Sequence, residues 1–422
     1  MAAVTIIENG VPIVFIRITD LIFWALVQND NFDPPESEAY KSTDGGKTWT
    51  LTGDQGWTSV GWLSVPAPAV FDGDHTVTFF FSQGNFTRLN FLIQYDLNSG
   101  TWSAPFAELD TGDSGITYIP QAIARKSNGH FVVLYTLDET NEPQQVLPVY
   151  SQEWDGAAWS TAVHVSADAE ASGAFDPNLY SFVYSTAALD SSDNWHIVLM
   201  AQETHAPFTA PPLFYYQQLS AAGAVVNFFE FPGQVAPNPD LVSLEVQPAP
   251  NLLISGNTLY WMVNRNNYSG QGASTFPAVY VGSPIDNPTW RETGNIDPGQ
   301  AFGPIFAPSI YQNGNTIFAA YSQQTDGQGN SLRLLATSDG FGNVSGTTAQ
   351  TGLDNIQNLS PLLQFGARVF MVAGSPPSEG GTPPTVFLTA DLPAPIIKIT
   401  FRGVKRVRCK PQEQLQAMCT LD

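Results

Sequence analysis

Apolar and polar positions along the chain form a unit that recurs at a period of roughly 50 residues. A proline or small residue leads two or three apolar positions, a short polar turn follows, and a strongly apolar strand comes next. The copies are PIVFIRITDLIFWALV from Pro12, PAVFDGDHTVTFFF from Pro68, PQAIARKSNGHFVVLY from Pro120, TAALDSSDNWHIVLM from Thr186, PNLLISGNTLYWMV from Pro250, PSIYQNGNTIFAAY from Pro308 and PLLQFGARVFMVAG from Pro361. Each continues through a polar loop into another strand, FLIQYDL, PLFYYQQL and LRLLATS among them, and then into a turn and a last strand. Four strands per unit, labelled A innermost to D outermost, bury both faces against their neighbours, so FVVLY and FFF read as continuous apolar runs. The pattern predicts an all-β fold, a seven-bladed β-propeller of four-stranded antiparallel blades over residues 1–394, with a β-sandwich as the alternative. Closure requires the chain ends to meet. Val4 to Ile7 is assigned as the strand completing the last blade, with Pro395 to Phe401 close by.

The turn STDGGKTW, Ser42 to Trp49, has its own chemistry. Asp44 can accept hydrogen bonds from backbone N–H groups further along the turn, Gly45 and Gly46 supply positive φ, and Trp49 is left to bury between sheets. The octapeptide resembles the Asp-box, Ser-x-Asp-x-Gly-x-Thr-Trp, through Ser42, Asp44, Gly46 and Trp49. That resemblance implies a sialidase-like propeller with the turn placed before a blade's outermost strand, and it speaks to architecture, not activity. Degenerate echoes stand at the same point of other units: YDLNSGTW ending at Trp102, WDGAAW ending at Trp159, DNPTW ending at Trp290, and TSDGFGNV from Thr337.

Charged residues are 13% of the chain against 43% apolar, so the surface is built largely from amides, hydroxyls, Gly and Pro. With 35 Gly and 32 Pro, helices have little room. The net charge is −22, yet Lys398, Arg402, Lys405, Arg406, Arg408 and Lys410 all lie after Ala394. The body is therefore more acidic than the whole, which excludes nucleic acid as a partner and argues against anionic membranes. No stretch is long and apolar enough to insert in a membrane, and the N-terminus lacks the pattern of a signal peptide. Residues 395–422 are expected to be a basic tail whose first half, IIKITFRG, alternates as a strand with one cationic face. The tail is expected to anchor the propeller to a protein partner or larger assembly. It holds both cysteines, Cys409 and Cys419, which could pair or stay free.

If strands alternate in direction, the A–B and C–D turns share one face and the B–C and D–A connections share the other. The B–C loops, such as QNDNFDPPESE after Val27 and NRNNYSGQGASTFP from Asn264, are longer and irregular. Trp57, Trp62, Tyr118, Tyr180 and Phe302 lie on or beside this loop face and are the candidate ligand-binding residues, suited to a sugar ring or a protein partner. The same aromatics could equally pack beneath their own loops. The histidines show no metal-ligand spacing and no cofactor is expected, Asp110 and Asp113 of DTGDSG being a weak Ca²⁺ candidate against a solvated acidic loop.

The sialidase resemblance implies three arginines on the substrate carboxylate, a tyrosine activated by a glutamate, and an aspartate acid/base. The arginine expected before the first inner strand is replaced here by Gly10-Val11 ahead of Pro12. If the chain is an enzyme, its candidates are Tyr321, with Glu245 or Glu203 as partner, and Arg88, Arg265 and Arg333. The reading favoured at this stage is a non-catalytic binding or structural module, a surface or virion-assembly component presenting a glycan- or receptor-binding loop face. The alternative is a sialidase-like exo-glycoside hydrolase.

Overall fold

A computed structural model describes residues 2–7, 10–19, 21–29, 36–52, 68–82, 89–110, 116–139, 147–203, 213–231, 252–268, 273–297, 305–325 and 329–353, and the strands at 358–359, 363–365, 368–374, 385–391, 407–409 and 419–421. The fold is an all-β propeller of antiparallel blades. Six blades are each one run of chain. Their inner strands are Gly10–Arg17, Ala69–Phe71, Ile116–Arg125, Tyr180–Leu189, Leu252–Ser255 and Ile305–Asn313. In each, strands A to D follow in spatial order, and in the second blade strand D is split into Thr101–Trp102 and Phe106–Asp110.

The expectation of a seven-bladed propeller is corrected: six blades form as units, and the segment from Pro361 does not make a seventh of the same kind. The remaining sheet is composite: Ala2–Ile7 pairs with Thr385–Asp391, which pairs with Arg368–Gly374, and the inner position is divided between Asn358–Leu359 and Leu363–Phe365. This sheet pairs strands that are far apart in sequence, Ala2–Ile7 with Thr385–Asp391. Val4 falls opposite Phe387, within the closure expected for Val4 to Ile7, whereas Pro395 to Phe401 lies outside the described residues. The composite sheet touches both the first and the sixth blades. In the tail, Val407–Cys409 pairs with Cys419–Leu421, and the register sets Cys409 opposite Cys419.

The recurring proline has a local cause. The A–B register slips between Pro12 and Val14, between Pro120 and Ala122, and between Phe306 and Ser309 around Pro308. A residue without an N–H fits where a bulge already interrupts the ladder. The apolar runs are equally local in origin. Phe79, Phe80 and Phe81 are all essentially inaccessible, and alternation sends Phe79 and Phe81 into the cluster with Trp24 and Leu26 while Phe80 joins Leu92 and Tyr135. In the fourth blade Ile197 and Leu199 face the third blade, and Val198 and Met200 face the fifth. Each such side chain contributes roughly 1.5–3 kcal/mol by burial, which makes the blade interfaces the core of the molecule.

The C–D turns are built on aspartates. In the first blade the Asp44 Oδ1 accepts the N–H groups of Lys47 and Thr48 at 2.9 and 3.0 Å, its Oδ2 accepts the Thr48 hydroxyl at 2.7 Å, and Ser42 Oγ accepts the Gly46 N–H at 2.8 Å. The hydrogen bonds from Thr48 and the others bring the Asp44 carboxyl down to about 2. Trp49 donates its indole N–H to Gly46 O and packs beside Phe15 and Phe23. The sixth blade repeats the network with changed residues. Thr337 takes the place of Ser42, Asp339 that of Asp44, and Asn343 that of Thr48, with Asn343 N donating to Asp339 Oδ1 at 2.9 Å and Phe341 N to Thr337 Oγ1 at 3.1 Å. Phe341 holds φ 72° where the first copy has Gly46 at 83°. The Trp echoes bridge blades: Trp159 donates to Glu108 O of the second blade at 3.0 Å, and Trp290 lies 5.1 Å from Tyr216 of the fourth.

Candidate functional site

Strand alternation puts the short A–B and C–D turns on one face and the B–C and D–A connections on the other. The turn face is pinned by side chains. Asp72, Asp96, Asp155 and Asp190 each accept backbone N–H groups from their own turn. On the loop face two B–C connections differ from expectation. The segment read as an irregular loop from Asn264 continues as a hairpin, Thr258–Tyr268 paired with Ala273–Ser283, reaching Tyr268 opposite Ala273. The SQQTDGQGNS segment likewise stays paired as far as Thr325 opposite Gly329. Cross-strand pairing wins here because Thr275, Phe276, Thr325 and Tyr268 fit a pleated strand better than a coil.

The sequence candidates are distributed unevenly over this geometry. Trp57, Trp62, Phe302, Arg88, Asp113 and Glu245 lie outside the described residues. Asp110 ends strand D of the second blade, opposite Leu89 and exposed, and no group of three or more metal-type ligands occurs among the described residues. Tyr118 is half-buried and heads a ladder of rings across the third blade: Tyr118 to Tyr135 at 4.6 Å, Tyr135 to Tyr150 at 6.1 Å, Tyr150 to His164 at 4.8 Å. Burial, with Asp110 adding its charge, holds the Tyr118 phenol above the ordinary range. Tyr180 is buried beside Phe175, in the core between the third and fourth blades. Arg265 sits in the long hairpin of the fifth blade, opposite Phe276.

Tyr321 and Arg333 do come together. They are cross-strand partners in the sixth blade, and both converge on a residue not singled out from the sequence, Asp297, at the start of the connection from the fifth blade. Arg333 Nε donates to Asp297 Oδ2 at 2.8 Å and Nη2 to Oδ1 at 2.9 Å, while the Tyr321 hydroxyl donates to Oδ2 at 2.7 Å. The relative exposures are 0% for Tyr321, 5% for Arg333 and 8% for Asp297, so all three are desolvated. Gly346 makes room for the guanidinium, since a Cβ there would sit 2.8 Å from Arg333 Nη2. Burial first, and then the hydrogen bond to Asp297 and its charge, drive the Tyr321 phenol well above its usual range, with Arg333 opposing. A phenol that is sealed from solvent and donates to a carboxylate is held neutral. Its geometry is that of a clamp fixing Asp297 at the end of the fifth blade.

A second buried network joins the fourth blade to its own A–B turn. His196, fully buried, faces the Tyr216 hydroxyl at 2.7 Å through Nδ1 and Asp190 at 3.3 Å through Nε2. Burial lowers the His196 pKa despite Asp190. The pattern Asp-x5-His on either side of a tight turn was the signal that could have found it.

No protein-family profile and no curated protein sequence matches the chain. Solved structures do. The chain resembles a polysaccharide lyase of family PL25, an ulvan lyase bound to -[GlcA(1-4)Rha3S]-, with TM-score 0.57, 11% identity, and coverage of 92% of this chain and 96% of that one. It is also similar to the polysaccharide lyase Uly1, with TM-score 0.49, 10% identity and coverage of 90% and 89%. The α-L-arabinofuranosidase Arb93A from Fusarium graminearum gives TM-score 0.49, 12% identity and coverage of 92% and 97%. The first likeness spans nearly the whole of both chains and shows the propeller fold. It corrects the expectation of a non-catalytic surface or assembly module: the protein that shares the architecture over both chains is named as a polysaccharide lyase.

Proposed function

We propose that the chain is a carbohydrate-active enzyme that cleaves a polysaccharide at its loop face. The observation that carries this reading is the end-to-end likeness to the ulvan lyase propeller. Two features of the chain support the location. The turn face is tied down by aspartates bonded to their own backbone, and the long hairpin bearing Arg265 extends on the opposite side. Trp57, Trp62, Tyr118 and Phe302 are the proposed platform for sugar rings, with Tyr180 packed in the core behind them, and Arg88 and Arg265 the proposed polar contacts. Tyr321, Arg333 and Asp297 act as positioning residues for the connector that carries Phe302. We further infer that the composite sheet closes the ring as its seventh blade and that the Ser42 and Thr337 turns are Asp-box turns. Residues 395–422 form an appendage outside the propeller, suited to a protein partner.

A net charge of −22 repels a polyanion, which favours neutral or sparsely charged polymers over uronate-rich ones. The test is incubation of the full chain with arabinan, galactan and a glucuronate–rhamnose polymer. New reducing ends without unsaturation identify hydrolysis, and ultraviolet absorbance from an unsaturated uronate identifies elimination. Activity that falls at least tenfold in Arg265→Ala, with folding intact, supports the site. Silence on all three polymers overturns the reading.

A further inference from the structure

The chain has two cysteines, and the tail sheet brings them into register. Val407–Cys409 and Cys419–Leu421 run antiparallel, with Val407 against Leu421, Arg408 against Thr420 and Cys409 against Cys419. Directly opposed residues of such a pair hold their Cα atoms about 4.5–5.5 Å apart. A disulfide joins Cα atoms about 4.4–6.8 Å apart, so this register can be bridged without moving the backbone. The sheet also needs support beyond its own ladder. Among the described residues it shares no strand with any blade, and a two-stranded hairpin standing alone is marginally stable at best in water.

We propose that Cys409 and Cys419 form an intramolecular disulfide that closes residues 410–418 into a ring and holds the tail hairpin together. A small-molecule disulfide, oxidised glutathione for example, is the oxidant. Charge along the chain selects the attacking thiol. Arg408 and Lys410 flank Cys409 and no acidic residue lies closer to it than Glu413, whereas Cys419 stands between Met418 and Thr420. Cationic neighbours favour the thiolate. The Cys409 thiolate attacks one glutathione sulfur, forming a mixed disulfide and expelling one glutathione thiolate. The Cys419 thiolate then attacks the Cys409 sulfur and expels the second. The protein loses two protons and two electrons, and the oxidant becomes two molecules of the free thiol. The bridge lies in the tail and does not rest on the polysaccharide reading.

The test equilibrates the full chain with reduced and oxidised glutathione, then alkylates it with iodoacetamide in denaturant. Both cysteines are expected to stay unlabelled, in a monomer lighter than the reduced chain by two hydrogens. Trypsin should release residues 409–422 in one piece, since Pro411 protects the bond after Lys410, and a cut at Glu413 should leave its two parts joined until reduction. Varying the glutathione ratio gives the equilibrium constant for closure and separates register from mere nearness in the chain. Hydrogen-bonded and non-hydrogen-bonded pairs alternate, so Val407→Pro/Thr420→Pro removes a ladder donor whichever pair carries it. That variant should lower the constant about tenfold or more. Two alkylated or two glutathionylated cysteines in the native chain overturn the proposal. So does a disulfide-linked dimer in place of the bridged monomer, or an unchanged constant in the proline variant.

Discussion

Removing the Asp297 carboxylate takes a shared acceptor from two buried groups at once. Arg333, 5% exposed, keeps its charge but loses both of its hydrogen bonds to Asp297, and the Tyr321 hydroxyl, with no exposed surface, loses its acceptor. Breaking one side of a buried ion pair typically costs about 3–5 kcal/mol. Tyr321→Phe is milder, because Asp297 and Arg333 remain bidentate, and one hydrogen bond to a charged acceptor contributes about 1.5–3 kcal/mol. The double variant Asp297→Ala/Tyr321→Phe should cost less than the sum, since the tyrosine's partner is already gone, with a coupling of about 1.5–3 kcal/mol. Urea unfolding followed by circular dichroism supplies all three values. A loss below about 1 kcal/mol in Asp297→Ala, or additivity within about 0.5 kcal/mol in the double variant, refutes the clamp. Hydrogen exchange gives a local check: the amides of Ile296 and Asp297, which donate to Pro277 O and to Asn295 Oδ1, should lose protection before the strands of the fifth blade do.

Gly346→Ala should destabilise by about 1–3 kcal/mol by pressing on Arg333 and Leu335, and the cost should shrink in an Arg333→Met background; equal costs in both would contradict the close approach. His196 has a lowered folded pKa, so the unfolded chain takes up the proton first and stability should fall as pH drops below about 6.5. The slope in that window should flatten in His196→Gln, as read by unfolding at stepped pH. Asp44, brought to about 2, and Asp339, lowered chiefly by Asn343, stabilise the fold above their ordinary value of 3.8 and lose that contribution as pH falls below it through their lowered folded values. Asp44→Asn should therefore weaken acid dependence and leave stability at pH 7 lower than in the native chain. At the alkaline end the raised Tyr321 pKa makes stability fall as pH rises past 10, and Tyr321→Phe should remove that part of the decline.

Blade construction was legible in the sequence because its causes are local. A proline at a bulge, an aspartate accepting turn amides and a phenylalanine run buried on both faces each act within a few residues, and each leaves a mark at a fixed point of the repeat. The Thr337 copy shows how far the reading reaches. Asn343 does the work of Thr48, and Phe341 takes the left-handed conformation of Gly46, so the network persists where the consensus letters have gone. The candidate site was legible only in halves. Tyr321 and Arg333 were found from strand positions, but their partner was sought among glutamates, and Asp297 was missed because it lies in the preceding blade's exit and not in the same repeat. Contacts between blades depend on rotation about the propeller axis, and nothing in a single unit's periodicity records that angle.

The same limitation bears on the proposed activity. The absent arginine ahead of Pro12 tests one family's chemistry, and its loss removes that chemistry alone. A propeller offers its loop face to any constellation that several blades can supply in common, so one fold serves many chemistries. Arg265 is the sharpest test of this view. Its hairpin extends the fifth blade, paired out to Tyr268 opposite Ala273. Arg265→Lys should keep the charge and lose the planar fork. If Arg265 binds substrate, kcat/KM should fall by about 1–3 kcal/mol of transition-state stabilisation, with unfolding unchanged. An unaltered kcat/KM would place the chemistry elsewhere on the loop face.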